Sequence, residues 1–197
     1  MTDRVSRFAL LLAAIGLTGC GGSPPIHYYT LSAEASLDSG LPGKSGRKIT
    51  IGPVTLPDMV ERPQLVLRTS TNKVTLVEEH QWAEPLKSEI PRVIAENLTR
   101  LLGARQVSVY PQSAGDQAEY RVLVDVQQFE STLGSRIAID ALWTVRHSSQ
   151  DGSSSKTGRS SVEEPAGANY EALAAAHSRA LVRISRDIAD AIRSIQP

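Results

Sequence analysis

The sequence predicts an α/β (α+β) fold: a single domain with a mixed, mostly antiparallel sheet and two long helices packed on it. Three observations carry this reading. Tyr120–Phe129 and Arg136–Arg146 alternate apolar with other residues, the period of a strand with one buried face. Pro85–Leu102 and Tyr170–Ile195 repeat apolar residues every three or four positions, the period of an amphipathic helix. Hydrophobic residues make up 41% of the chain and aromatics only 5%, so one core dominated by aliphatic side chains is expected.

The elements follow in order. His27-Tyr28-Tyr29-Thr30-Leu31 has high strand propensity and reads as the first strand. Ser32–Arg47 is polar, rich in Ser and Gly, and reads as an exposed loop. Lys48–Leu56 is a second strand, bent or ended at Gly52-Pro53, and Pro57–Pro63 is a turn segment. Gln64–Thr69 and Asn72–Val77 are two short strands joined as a hairpin through Ser70-Thr71-Asn72. The first helix has Leu86, Ile90, Val93, Ile94, Leu98, Leu101 and Leu102 on one stripe, Pro85 at its start and Gly103 at its stop. Pro91 inside it predicts either a kink or a regular helix beginning near Ser88. Gln106–Tyr110 is a short strand. In the next two strands Tyr120, Val122, Val124 and Val126 share one face, as do Ile137, Ile139, Ala141, Trp143 and Val145. Ser148–Ser155 is a hairpin tip and Lys156–Glu163 the returning strand. Asn169 caps the last helix, whose stripe is Leu173, Ala180, Leu181, Ile184, Ile188, Ile192 and Ile195.

The start of the chain has a different character. Arg4 and Arg7 precede an apolar run, Phe8–Leu17, of about ten residues, short of the roughly 20 that a spanning helix needs. Leu17-Thr18-Gly19-Cys20 then matches the lipoprotein processing box, in which the cysteine thiol is acylated before cleavage. This divides the chain into a signal peptide at 1–19, a lipidated tether at 20–26 and one domain at 27–197. Cys20 is the only cysteine, so neither an internal disulfide nor a CxxC metal or redox site is expected. The mature chain holds 19 basic and 20 acidic residues, a net charge of −1, which offers nothing to attract nucleic acid.

Catalytic and metal chemistry is not evident. His27, His80, His147 and His177 are scattered, without metal-ligand spacing, and read as surface or packed residues. Glu78-Glu79-His80 reads as a solvated strand edge. Gly40–Ser45 and Gly152–Ser160 resemble phosphate-binding loops, but their glycine spacings are wrong. No metal, and no cofactor beyond the lipid on Cys20, is expected, and the chain does not read as an enzyme.

Four blocks carry a family resemblance. They are Pro24-Pro25 with Tyr28–Leu31; Ile51-Gly52-Pro53-Val54 with Leu56-Pro57 and Glu61-Arg62-Pro63-Gln64; Trp82-Ala83-Glu84-Pro85-Leu86 leading into Ile94–Leu98; and Val124–Glu130 with Asp140-Ala141, Trp143, Tyr170 and Ser185–Ala189. Through them the chain resembles the ABC-type transport auxiliary lipoproteins, the PqiC-like or YmbA-like (paraquat-inducible protein C) family. The resemblance implies a lipid-anchored accessory on the periplasmic face of the outer membrane, supporting membrane integrity. Gly21, rather than Asp, after the lipid cysteine points to the same membrane. Implied partners are an MCE-domain (mammalian cell entry) protein and inner-membrane transporter components that together carry lipid between membranes, along with a homo-oligomeric ring. The alternative is a periplasmic lipid-binding carrier with an apolar cavity of several hundred Å³. Trp82, Arg62 and Gln64 are candidate partner-facing residues, although Trp82 reads equally as a structural cover at the helix start.

Overall fold

The computed structural model describes residues 24–37, 45–111, 118–149 and 152–195. Leu17, Thr18, Gly19 and Cys20, and the Gly40–Lys44 stretch, lie outside the described residues. The strands are β1 (His27–Tyr29), β2 (Ser45–Thr55), β3 (Gln64–Ser70), β4 (Lys73–Trp82), β5 (Ala104–Val109), β6 (Tyr120–Thr132), β7 (Arg136–Ser149) and β8 (Gly152–Pro165). The helices are α1 (Leu86–Leu102) and α2 (Tyr170–Ser194), with a short 3-10 turn at Asp58–Val60.

These strands form two sheets rather than one. The larger has the order β5-β2-β6-β7-β8, and the smaller β1-β4-β3. The long β6-β7-β8 meander is antiparallel, as its alternation predicts. β2, however, lies parallel to both β5 and β6, and β1 lies parallel to β4. Alternation reports which face is buried but not which way a neighbour runs. Only the long connections, through β3, β4 and α1, signal a parallel crossover. α1 packs on β2 and β5, α2 on β7 and β8, and the helices touch each other, which encloses one core.

Local chemistry explains the helix ends. The Asn169 side chain accepts a 2.7 Å hydrogen bond from the Ala172 amide, and Gly103 stops α1 at φ 57°, in the left-handed region that glycine enters without cost. α1 runs continuously from Leu86 past Pro91, so its regular part does not wait for Ser88. Two departures from regularity matter later. β6 carries one extra residue between Val126 and Gln128, a bulge that moves Phe129 and Ser131 onto the buried face. Of the expected Ser32–Arg47 loop, residues 32–37 are a loop with Ser32, Ala35 and Ser36 exposed, but it is pinned to the helices, and Ser45–Arg47 belong to β2. Leu31 is buried, and the buried Glu89 carboxylate accepts its amide at 3.2 and 3.3 Å. Arg92 donates to the Leu31 carbonyl, Ser178 Oγ accepts from Ser32, Asn97 accepts from Glu34, and Arg100 donates to the Glu34 carbonyl. Polar residues of both helices are thus occupied by loop backbone.

Gly158 lies opposite Trp143 in the β7–β8 ladder, and a Cβ there would come within 2.3 Å of the indole. The ring has nowhere to retreat, because its Nε1 donates to Ser160 Oγ at 2.9 Å. Gly158→Ala should therefore lower the unfolding free energy by about 1–3 kcal/mol, read as a lower urea midpoint.

Candidate functional site

Two of the resemblance blocks, some twenty residues apart, meet in space. The Trp82 amide donates to the Pro63 carbonyl at 2.7 Å, which ties the end of β4 to the turn before β3. The Ala83 amide donates to the Tyr29 carbonyl at 2.8 Å, which ties the same point to β1. α1 then starts at once, with Ser88 and Glu89 amides on the Pro85 carbonyl. Between the turn and the helix start lies an open, mostly apolar cleft of about 410 Å³. Pro63, Trp82, Ala83, Pro85 and Leu86 line it, and Glu61, Arg62, Glu84 and Lys87 supply its charges. Lys87 Nζ and Glu61 Oε1 bridge at 3.1 Å. Both are well exposed, so the bridge itself contributes little to stability.

The three candidate residues separate here. Arg62 is exposed beside the cleft. Trp82 is 5% exposed and touches both cleft and core. Gln64 does not line the cleft. It donates to Glu78 Oε2 at 3.0 Å and borders an interior void of about 10 Å³, barely room for one water. Glu61 belongs to the same resemblance block as Arg62, whereas Lys87 stands in no motif; only the closeness of the two blocks marks it.

Behind Trp82 lies a feature that sequence reasoning missed. The β6 bulge turns Ser131 and Phe129 toward α2, where His177 is fully buried. His177 Nε2 lies 2.7 Å from Ser131 Oγ, its ring stacks on Phe129 at 4.1 Å, and Trp82 meets it edge-on at 6.0 Å. A hydroxyl beside an imidazole is the start of a nucleophile–base pair. Here Ser131 is 4% and His177 0% exposed, and His177 Nδ1 has no hydrogen-bond partner to orient the ring. The pair is sealed beneath aromatic rings and packs the core rather than meeting a substrate. Burial pushes the His177 pKa down to about 3, so the ring is neutral at neutral pH.

At the other end of β1, His80 is not a solvated edge residue. Its ring stacks on Tyr170 at 3.7 Å and on His27 at 5.1 Å, and its Nδ1 lies 2.6 Å from the Tyr29 hydroxyl. Burial, with His27 nearby, lowers the His80 pKa, which leaves the ring neutral for the Tyr29 bond. Among the described residues no group of three or more His, Cys, Asp or Glu side chains is placed to hold a metal ion, and no helix is long and apolar enough to cross a membrane.

Comparison with known proteins agrees with this architecture. The family described as ABC-type transport auxiliary lipoprotein component matches residues 29–189. The chain is 24% identical over 147 residues to the Escherichia coli K12 intermembrane transport lipoprotein PqiC, covering 74% of this chain and 77% of that one; the Shigella flexneri PqiC matches to the same extent. The fold is similar to a crystal structure of an uncharacterised protein, with a TM-score of 0.65, 19% identity, and 86% and 99% of the two chains covered. It is also similar to a Xanthomonas campestris protein, with a TM-score of 0.59, 17% identity, and 84% and 95% covered.

The neutral buried imidazole has a consequence for stability. The unfolded chain binds a proton at His177 near pH 6.5 and the folded chain does not until about pH 3. Stability should therefore fall as pH drops below 6.5, by up to about 1.4 kcal/mol per pH unit from this group. Glu89, whose pKa is raised by burial, acts in the opposite direction. The comparison of wild type with His177→Gln isolates the histidine: urea unfolding between pH 6.5 and 5 should show a shallower decline in the variant.

Proposed function

The chain belongs to the ABC-type transport auxiliary lipoprotein family, and on that premise we propose that it is a lipid-anchored docking subunit for intermembrane lipid transport, a task that supports membrane integrity. That family is one of transport accessories rather than enzymes. In this reading Cys20 carries the acyl anchor, the outer membrane holds it, and the folded domain faces the periplasm. Its partner is an MCE-domain protein whose tunnel reaches the inner-membrane transporter components, and copies of the chain gather in a homo-oligomeric ring around the tunnel end.

The observation that carries the docking reading is the cleft at the end of β4. β1 enters from the tether and runs parallel to β4, with His27 level with His80 and Tyr29 level with Trp82. The tether therefore joins one end of this pair and the cleft opens beyond the other, roughly 10 Å further along at ~3.3 Å per residue. An apolar floor with charges of both signs at its edge is the composition of a protein-binding surface. The name of the Escherichia coli relative, an intermembrane transport lipoprotein, supports the same role.

The carrier alternative draws on the cleft volume, which falls at the small end of ligand pockets. The cleft is open and floored by the buried Trp82, so it admits a few side chains rather than both acyl chains of a lipid. Native mass spectra of the purified protein showing stoichiometric bound lipid beyond the covalent anchor would favour the carrier.

Two tests follow. Affinity purification from gently solubilised native membranes should recover an MCE-domain protein, and Arg62→Glu with Lys87→Glu should cut that recovery about tenfold while leaving the fold intact. Undiminished recovery would move the docking surface elsewhere, and absence of any MCE-domain partner would remove the function. Separately, Cys20→Ala should shift the exported protein from the membrane to the soluble periplasmic fraction. A tightly membrane-bound variant would mean the anchor is not Cys20.

A further inference from the structure

Six large hydrophobic side chains are notably exposed among the described residues: Ile26, Tyr28, Met59, Val74, Leu76 and Tyr110. Two of them, Ile26 at 47% and Tyr28 at 62%, lie six and eight positions after Cys20. The first reason for their exposure is local. His27 and Tyr29 turn into the aromatic stack with His80, so alternation turns Ile26 and Tyr28 to the opposite side. β1 is also an edge strand, paired only with β4, and beside Tyr28 the flank of α2 at Glu171, Ala174 and Ser178 leaves an open hollow.

What covers it follows from chain length. Six residues fully extended span at most about 20 Å from Cys20 to Ile26. With Cys20 acylated, as the proposed function holds, that side cannot move far from the bilayer surface. Pro24 and Pro25 restrict the tether further, since proline fixes its own φ and biases the residue before it toward extended backbone. Tyrosine combines an apolar ring with a hydroxyl and concentrates at the membrane–water boundary. Glu171, which borders the same hollow as Tyr28, is acidic, so attraction to anionic headgroups does not drive the contact.

We propose that Ile26 and Tyr28 insert into the membrane interface as a second, non-covalent foot beside the lipid anchor. The occupant of this surface is the lipid bilayer. Two points of attachment fix the tilt of the domain, where a single acylated cysteine would leave it free to swivel. The opposite face of the β1–β4 pair, which carries Tyr29 and Trp82, then turns away from the membrane. This rests on Cys20 being the anchor.

The test uses the lipidated protein purified from native membranes and reconstituted into phosphatidylethanolamine–phosphatidylglycerol vesicles with brominated or ordinary acyl chains. Tyr28→Trp and, as a second variant, Ile26→Trp are compared with Leu76→Trp on the β3–β4 hairpin; Trp82 and Trp143 are buried and give a common background. Bromine should quench the added indole emission of the Tyr28→Trp and Ile26→Trp proteins about threefold more than that of the Leu76→Trp protein. High salt, which screens exposed charges, should not change the difference. Equal quenching in vesicles that float with the protein would overturn the proposal and leave the anchor standing. Failure of the protein to float with the vesicles would overturn both.

Discussion

The parallel pairing of β1 with β4 is the constraint on which the working end of the molecule depends. It is only three residues long, from His27 beside His80 to Tyr29 beside Trp82. That short register fixes where the chain enters the domain, places the aromatic stack at the entry, and holds Trp82 at the far end. The Tyr29 carbonyl and the Pro63 carbonyl each receive one amide from the Trp82-Ala83 pair. A slip of β1 by one residue would turn His27 and Tyr29 out of the aromatic stack and Tyr28 into it.

Trp82 shows how one side chain serves packing and surface together. Its ring meets Phe129 and His177 edge-on at 6.3 and 6.0 Å, inside the core, and its outer edge floors the cleft. The structural and partner-facing readings of this residue are therefore not rivals. For the proposed docking role the exposed groups around it are the better targets, because removing the indole empties a core position at a cost of about 3–5 kcal/mol in stability. The segment after β1 adds a second clamp. Glu89, Arg92, Asn97, Arg100 and Ser178 hold the backbone of residues 31–34 against the helices, so force on the tether is shared between a sheet and both helices.

The period-based features were legible in the sequence. The stripes of α1 and α2, the inward faces Tyr120–Val126 and Ile137–Val145, the Asn169 cap and the Gly103 stop are direct readouts of residue type and spacing. What was not legible depends on pairing and register. The division into two sheets and the parallel neighbours of β2 follow from chain routing, which alternation does not encode. The bulge at Val126–Gln128 reversed the phase of β6 and created the Ser131–His177 contact across 46 positions. His80 read as a solvated edge because nothing local announces the chain that packs on it. For the cleft, the sequence marked Arg62 and Trp82 through two separate blocks. Their convergence, and the exclusion of Gln64 from the cleft, are tertiary facts.

In the proposed function this cleft, held at the end of β4 on a lipid-tethered domain, is where the transport partner docks. Site-specific photo-cross-linking in intact cells of the native organism tests it most directly, with the photoreactive residue placed either at Arg62 beside the cleft or at Ser153 near the exposed start of β8. An adduct with an MCE-domain protein is expected from position 62 and none from position 153. Cross-linking to that partner from position 153 alone, or equally from both, would contradict it.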